Sequence, residues 1–312
     1  MNYINNLVSI IIRTNSFKRI NLLEQAIKSI LANDYRPIEI IIIVQSQEIN
    51  FIEKVKELAS NYIQKQVFCI VKLNQTSNDE RAKNLNLGIQ VAKGRFIGFL
   101  DDDDVIYPNH LSSLINLLNQ SKETAWAYSD VAAAICRSQF EDNLEIISID
   151  YPFVKAAFSK ITLWQYNFIP IHSYLLDSAK IDRKLLEFDE SFQVLEDYAF
   201  LLKIVTRYQP IYLPKVTCEY RFFQDVNNSN FYADYTLGLC DYKKLALWQK
   251  HYQKIEKLKK QLMSTYHSGL LPIYARQLIL ARFPLLFKLK QTFPKLWNLI
   301  AQFIKKNKFI QS

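Results

Sequence analysis

The chain has 312 residues, 49% of them hydrophobic, with 20 Phe and 18 Tyr but only 5 Gly and 9 Pro. Such a composition supplies a large core and argues against long disordered or collagen-like stretches. The net charge of +9 is unevenly placed: 15 basic residues and one acid from Lys243 onward give +14, whereas the preceding 242 residues hold 24 basic and 29 acidic residues, giving −5. No run approaches the roughly 18 uninterrupted apolar residues of a spanning helix. The first apolar run, residues 7–12, passes straight into Arg13, so no secretory signal is expected. Cys69, Cys136, Cys218 and Cys240 are scattered, with no CxxC pair, and read as free thiols of a reducing compartment.

Residues 7–13 form a β-rich run, and residues 21–33 place Leu22, Leu23, Ala26, Ile27, Ile30 and Leu31 at helical spacing. Residues 38–44 hold six Ile or Val broken only by Glu39, the pattern of a strand buried on both faces. Helices are predicted over 51–62 and 80–92, and strands over 67–73 and 96–100. Repeated βα units of this length give an α/β fold with a parallel, doubly wound sheet and right-handed crossovers. Ligands of such sheets sit beyond the carboxyl ends of the strands. Arg13, Thr14, Asn15, Gln45, Ser46 and four consecutive aspartates, Asp101, Asp102, Asp103 and Asp104, all fall there. Further on, helices are predicted over 110–118 and 198–206, and strands over 126–135, 145–149 and 169–176. Residues 211–223 read as a strand or hairpin, and the pattern beyond Asp234 is helical, punctuated by Pro272, Pro284 and Pro294.

A strand that ends in four carboxylates gathers like charges, which raise one another's pKa unless a cation neutralises them. Oxygen ligands of this kind suit Mg²⁺ or Mn²⁺ shared with substrate phosphates; the alternative is a solvated acidic turn leading into the helix near Pro108. If the chain stays extended, Asp101 and Asp103 share one side and Asp102 and Asp104 the other. A second acidic pair, Glu196-Asp197, opens a predicted helix, where acids also serve as a cap favoured by the dipole.

Several pieces occur in a telling order: Val8-Ser-Ile-Ile-Ile-Arg-Thr14, Arg81-Ala-Lys-Asn84, Gly94-Arg-Phe-Ile-Gly-Phe-Leu-Asp-Asp-Asp-Asp104, Phe188-Asp-Glu190, Glu196-Asp197 and Tyr220-Arg221. Together they resemble the family 2 inverting glycosyltransferases, with their nucleotide-sugar-binding GT-A fold. The resemblance spans roughly residues 7–230. It implies a GT-A-type, mostly parallel sheet over residues 1–232, with a nucleotide-binding half to about 104 and an acceptor half beyond, followed by a basic helical extension over 233–312. It also implies transfer of a sugar from a nucleoside-diphosphate donor to a glycan or lipid-linked hydroxyl, with inversion. Asp101 and Asp103 match the metal- and ribose-binding aspartates, with Asp102 within reach and Mn²⁺ or Mg²⁺ as the ion. Asp197 matches the base, supported by Glu196. Arg13, Thr14, Asn15, Gln45, Arg81 and Asn84 would line the donor site. Two departures stand out: Arg13 replaces the commoner proline, and Gln45 stands where the family usually carries a base-reading aspartate, so a uracil preference does not transfer. His172, Trp164 and Arg221 fall on the expected acceptor side, each equally readable as packed core.

Leu296, Trp297, Leu299, Ile300, Phe303 and Ile304 form an apolar stripe followed by Lys305, Lys306 and Lys308. That pattern suits helices lying on an anionic membrane surface, and with it a cytoplasmic protein peripheral to the inner face of the plasma membrane; the family resemblance implies in addition a role in cell-surface polysaccharide synthesis. No nucleic-acid-binding motif accompanies the charge. Two competing readings are a nucleotidyltransferase, which would want a glycine-rich loop after the first strand, where Arg13-Thr-Asn-Ser-Phe17 has no glycine, and a catalytically silent sugar-nucleotide- or membrane-binding module.

Overall fold

The computed structural model describes residues 3–63, 66–137, 144–153, 157–224 and 242–265. Four strands, β1 (Ile4–Thr14), β2 (Ile38–Gln45), β3 (Val67–Asn74) and β4 (Gly94–Asp101), pair in parallel in the order β3-β2-β1-β4. They are joined by α1 (Ile20–Leu31), α2 (Ile49–Asn61) and α3 (Arg81–Val91). The sheet then continues through β8 (Tyr174–Asp177), β6 (Trp126–Cys136), β9 (Ile211–Phe223) and the short β5 (Val105–Ile106), with β7 (Ile146–Phe153) against β6. Direction reverses at the antiparallel β4–β8 pair, and the outer half is mixed. The remaining helices are α4 (His110–Gln120), α5 (Lys160–Gln165), α6 (Glu196–Arg207) and α7 (Tyr242–Thr265).

Both faces of β1 and β2 are covered, as the apolar run of β2, broken only by Glu39, requires. Ile10 and Ile12 of β1 and Ile40 and Ile42 of β2 share a core with Leu23, Ala26 and Ile27 of α1 and Phe51 and Val55 of α2. On the other face α3 lies so close to β1 that a Cβ on Gly88 would stand 2.4 Å from Ile11 Cγ2. Glu39, the one acid of β2, is buried and satisfied: its Oε2 accepts from Ser9 Oγ at 2.6 Å and from the Lys93 amide at 2.9 Å. The Ser9 hydroxyl in turn accepts from the Gly94 amide at 2.9 Å. A buried polar cluster thereby pins the turn that feeds β4, in keeping with the rule that buried polar groups find partners.

Two expectations are corrected. Residues 169–176 do not make a single strand. The Ser173 amide and hydroxyl both donate to Pro170 O, at 3.0 and 2.7 Å, so a 3-10 turn (Ile171–Ser173) consumes the groups a ladder would use and β8 starts at Tyr174. The four aspartates do not stay extended either: β4 ends at Asp101, and the Asp104 amide donates back to Asp101 O at 3.2 Å, closing a turn. Burial still alternates, with Asp102 and Asp104 buried and Asp101 and Asp103 partly open. Residues 211–223 are one strand rather than a hairpin.

The free cysteines Cys136 and Cys218 are buried and Cys69 partly so; Cys240 lies outside the described residues. The chain divides into a unit Met1–Lys257 and a unit Leu258–Ser312, of which the end of α7 is described. No described helix is long and apolar enough to cross a membrane. The apolar stripe from Leu296 to Ile304 and the prolines of the tail lie outside the described residues.

Gly88→Ala tests the close approach of α3. Its helix-propensity gain of about 1 kcal/mol is outweighed by overpacking against a β-branched side chain held in a strand, so a net loss of about 1–2 kcal/mol is expected in urea denaturation.

Candidate active site

The carboxyl ends of β1, β2 and β4 open into one cleft. Arg13, Thr14 and Asn15 come to it from β1, Gln45 from β2, Arg81 and Asn84 from α3, and Asp101, Asp102 and Asp103 from the end of β4. The sheet order accounts for this meeting, because β1 lies between β2 and β4 and all three run the same way. Two further residues line the cleft that the sequence did not single out: Arg19, at the end of the turn before α1, and Asp79, just ahead of α3.

The charges in the cleft are paired. Arg13 donates through Nε to Asp101 Oδ1 at 2.8 Å and through Nη1 to Glu196 Oε1 at 2.6 Å. Arg19 Nη2 lies 2.6 Å from Asp102 Oδ1 and also pairs with Asp103. Asp104 turns away from the cleft: its Oδ1 accepts from the Arg221 amide at 2.8 Å, and its Oδ2 lies 3.0 Å from His172 Nδ1. Each aspartate thus has a different electrostatic setting. Burial works against ionisation of Asp101, but Arg13 overcomes it and holds that carboxyl below its usual range. Burial dominates at Asp102 and, with the Asp103 charge, pushes it up to about 7 in spite of Arg19. Burial likewise raises Asp104 to about 6, although His172 opposes the shift.

Glu196 and Asp197 open α6 directly after Leu195, which holds the left-handed conformation at φ 64°. A branched residue rarely adopts that region, and the strain is of order 1–3 kcal/mol. The turn aims the two acids differently. Glu196 is buried against Arg13, whereas Asp197 Oδ2 accepts from Asn167 Nδ2 at 2.9 Å. Burial, reinforced by the neighbouring Glu196, raises Asp197 to about 7. Asn167 had no signal in the sequence, since an isolated amide between α5 and a loop has no periodicity to mark it.

Gln45 is engaged inside the protein. Its Nε2 donates to Asn78 O, and its Oε1 accepts from Asn84 Nδ2 at 2.6 Å. Asn84 Oδ1 in turn accepts from Asn74 Nδ2 at 2.7 Å, so both amides belong to one network beneath the cleft. Arg81 pairs with Asp79 at 3.2 Å. His172, Trp164 and Arg221 are buried and do not line this cleft. Arg221 donates to Glu219 Oε1 at 2.8 Å and to Gln25 Oε1 at 2.9 Å.

The carboxylates that line the cleft at the end of β4 are candidate ligands of a divalent ion. Among the described residues no preassembled group of three His, Cys, Asp or Glu ligands is present. The aspartates nevertheless fit a cation that takes only one or two protein carboxylates and completes its shell with phosphates and water. Asp102 Oδ2 is buried without a hydrogen-bond partner, and Asp101 and Asp103 are partly open on the same cleft.

Arg13→Met would leave Glu196 and Asp101 without their shared cation. Because the groups are not wholly buried, the loss should be roughly 2–4 kcal/mol, read from denaturant midpoints at neutral pH.

Residues 9–131 match the model of glycosyl transferase family 2. Over 201 residues the chain is 28% identical to an uncharacterized glycosyltransferase of Rickettsia typhi, an alignment covering 64% of this chain and 58% of that protein. It is 34% identical over 113 residues to the GalNAc(5)-diNAcBac-PP-undecaprenol beta-1,3-glucosyltransferase of Campylobacter jejuni, covering 36% of this chain and 35% of that one. The crystal structure of S. aureus TarS 1-349 in complex with UDP-GlcNAc matches with a TM-score of 0.53 at 13% identity, over 85% of this chain and 75% of that chain. At that identity the likeness is one of fold, and it agrees with the α/β, GT-A-type sheet. The chain spans 58% of the length of the Rickettsia relative. Residues 9–131, in which Arg13 and the four aspartates lie, are thus the part of the chain that is similar to glycosyl transferase family 2.

Proposed function

We propose that this chain transfers a sugar from a nucleoside-diphosphate sugar to a hydroxyl of a glycan or lipid-linked acceptor, with inversion at the anomeric carbon. The observation that carries the reading is the bridge Asp101–Arg13–Glu196, which sets the acidic rim of β4 next to Asp197 although the two lie far apart in sequence. The Campylobacter relative is named for an undecaprenol-linked glycan, which favours a lipid-linked acceptor here. Contact of the basic tail with an anionic membrane surface, and a place at the cytoplasmic face of the membrane, belong to the same reading and rest on the sequence of the tail.

In this reading the acceptor oxygen attacks the anomeric carbon as the bond to the diphosphate oxygen breaks, and the acceptor proton passes to Asp197. A base works best with a pKa near the working pH, and burial beside Glu196 moves Asp197 toward that range. Asn167 holds the carboxylate in place through Oδ2. Arg13, Arg19 and Arg81 bring three guanidinium groups to the cleft, where they would bind and orient the diphosphate. Asp101, Asp102 and Asp103 would hold Mn²⁺ or Mg²⁺, which when bound supplies Lewis-acid stabilisation of the leaving diphosphate.

Asp197→Asn should leave sugar-nucleotide affinity unchanged in calorimetry and reduce transfer by roughly 10²–10⁴-fold; full transfer activity in that variant would remove Asp197 as the base. Because its pKa is raised, Asp197 is the active carboxylate only above that value. Transfer should therefore fall as the pH drops below about 7 and level off above it, checked by the pH profile of kcat/KM. Asp103→Ala should weaken nucleoside-diphosphate binding when Mn²⁺ is present and leave binding in EDTA unaltered.

A further inference from the structure

The three strands that open into the cleft lie side by side, with β4 at one edge, β1 in the middle and β2 at the other. A nucleoside-diphosphate sugar is strung out in the order sugar, diphosphate, ribose, base. With the diphosphate on the aspartates of β4 and the sugar beside Asp197, the base falls toward the β2 edge, where Gln45, Asp79 and Arg81 line the cleft. Gln45 lies beneath that edge, only 7% exposed, and its amide is spent on the backbone to either side of Asp79. Its Nε2 donates to Asn78 O, and its Oε1 accepts from the Glu80 amide at 3.4 Å as well as from Asn84 Nδ2 at 2.6 Å. Two further bonds brace the same loop. The Asn78 amide donates to Thr76 Oγ1 at 3.2 Å, and Asn74 Nδ2 donates to Glu80 Oε2 at 3.0 Å. Asp79 is thereby carried on a clamped loop, with its side chain 44% exposed. Arg81 Nε lies 3.3 and 3.2 Å from its two oxygens and fixes the direction of the carboxylate.

We propose that Asp79 reads the base of the donor nucleotide, accepting a hydrogen bond from the imino N–H of uracil, thymine or guanine. A carboxylate only accepts, so it matches a ring nitrogen that carries hydrogen, and a bond to a charged acceptor is among the stronger kind. Adenine and cytosine carry a bare ring nitrogen at the corresponding place on that edge, and its lone pair would meet the carboxylate. A site that sets unpaired polar groups against the wrong ligand discriminates strongly. Gln45 acts through Asp79 rather than on the base: it is a positioning residue whose bonds to Asn78 and Glu80 set the loop. The inference rests on the nucleotide-sugar reading above and deepens it, for it names the class of base that the donor carries.

Asp79→Asn keeps the shape of the side chain and turns one acceptor oxygen into a donor. Calorimetry in the presence of Mn²⁺, on the full chain and on the variant, would use UDP, dTDP, GDP, CDP and ADP, with inorganic pyrophosphate as the ligand that has no base. The full chain is expected to bind one of UDP, dTDP and GDP at least about tenfold more tightly than CDP or ADP. In the variant that affinity should fall by about tenfold to a hundredfold, the preference should narrow, and binding of pyrophosphate should be unchanged. Equal binding of all five nucleotides by the full chain, or a preference for CDP or ADP, would overturn the proposal. So would a variant in which the ratios among the five affinities are those of the full chain, whether or not all of them fall together. Absence of binding to all five nucleotides would overturn the nucleotide-sugar reading itself, and this inference with it.

Discussion

Arg13 ends β1 with a planar guanidinium that reaches Asp101 on one side and Glu196 on the other. The remaining site geometry depends on this one side chain. Without a cation between them, the rim of β4 and the acids of α6 would repel across a region of low dielectric, and each buried carboxylate would resist ionisation. With it, one acid of each motif is neutralised, and their neighbours remain to meet a ligand. Arginine suits the position because its fork keeps two fixed donor directions and its charge is not lost on burial.

The four aspartates show how one residue type can be divided among tasks by its surroundings. The turn after β4 sends Asp102 and Asp104 inward and leaves Asp101 and Asp103 partly open. Asp104 joins His172 and the Arg221 amide behind the cleft. Against the cost of burial, that contact raises the His172 pKa well above its ordinary value. His172 and Arg221 thus support the acidic turn from behind. Arg19 sits in front of it and pairs with two of its carboxylates.

The second acidic motif is held less directly. The strained Leu195 fixes the direction in which Glu196 and Asp197 leave the loop, and the segment before it is braced by α7. Lys254 Nζ donates to Ser191 O and lies 5.5 Å from the centre of the Phe192 ring. His251 packs on the same ring at 5.7 Å. A contorted backbone persists only where its surroundings over-determine it, and here a helix more than 40 residues later in the chain supplies part of that support.

Periodicity was enough to locate the parallel half of the sheet. The β-rich run of β1, the apolar run of β2 broken only by Glu39, and the spacing of α1 each reflect which neighbours a residue has a few positions away. The rule that ligands gather at the ends of such strands then located Arg13, Gln45 and the aspartates. What the sequence could not determine was pairing. Arg13 meets Glu196 across 183 positions, and Asn167 meets Asp197 across 30. Neither contact leaves a local pattern. The turn that breaks the aspartate run, the 3-10 turn that shortens β8, and the choice of which carboxylate each arginine holds were likewise decided by tertiary structure. Short-range spacing is fixed by backbone geometry, which every residue of an element shares. The partner of a buried charge is fixed by which distant segments the folded sheet brings within a hydrogen-bond length.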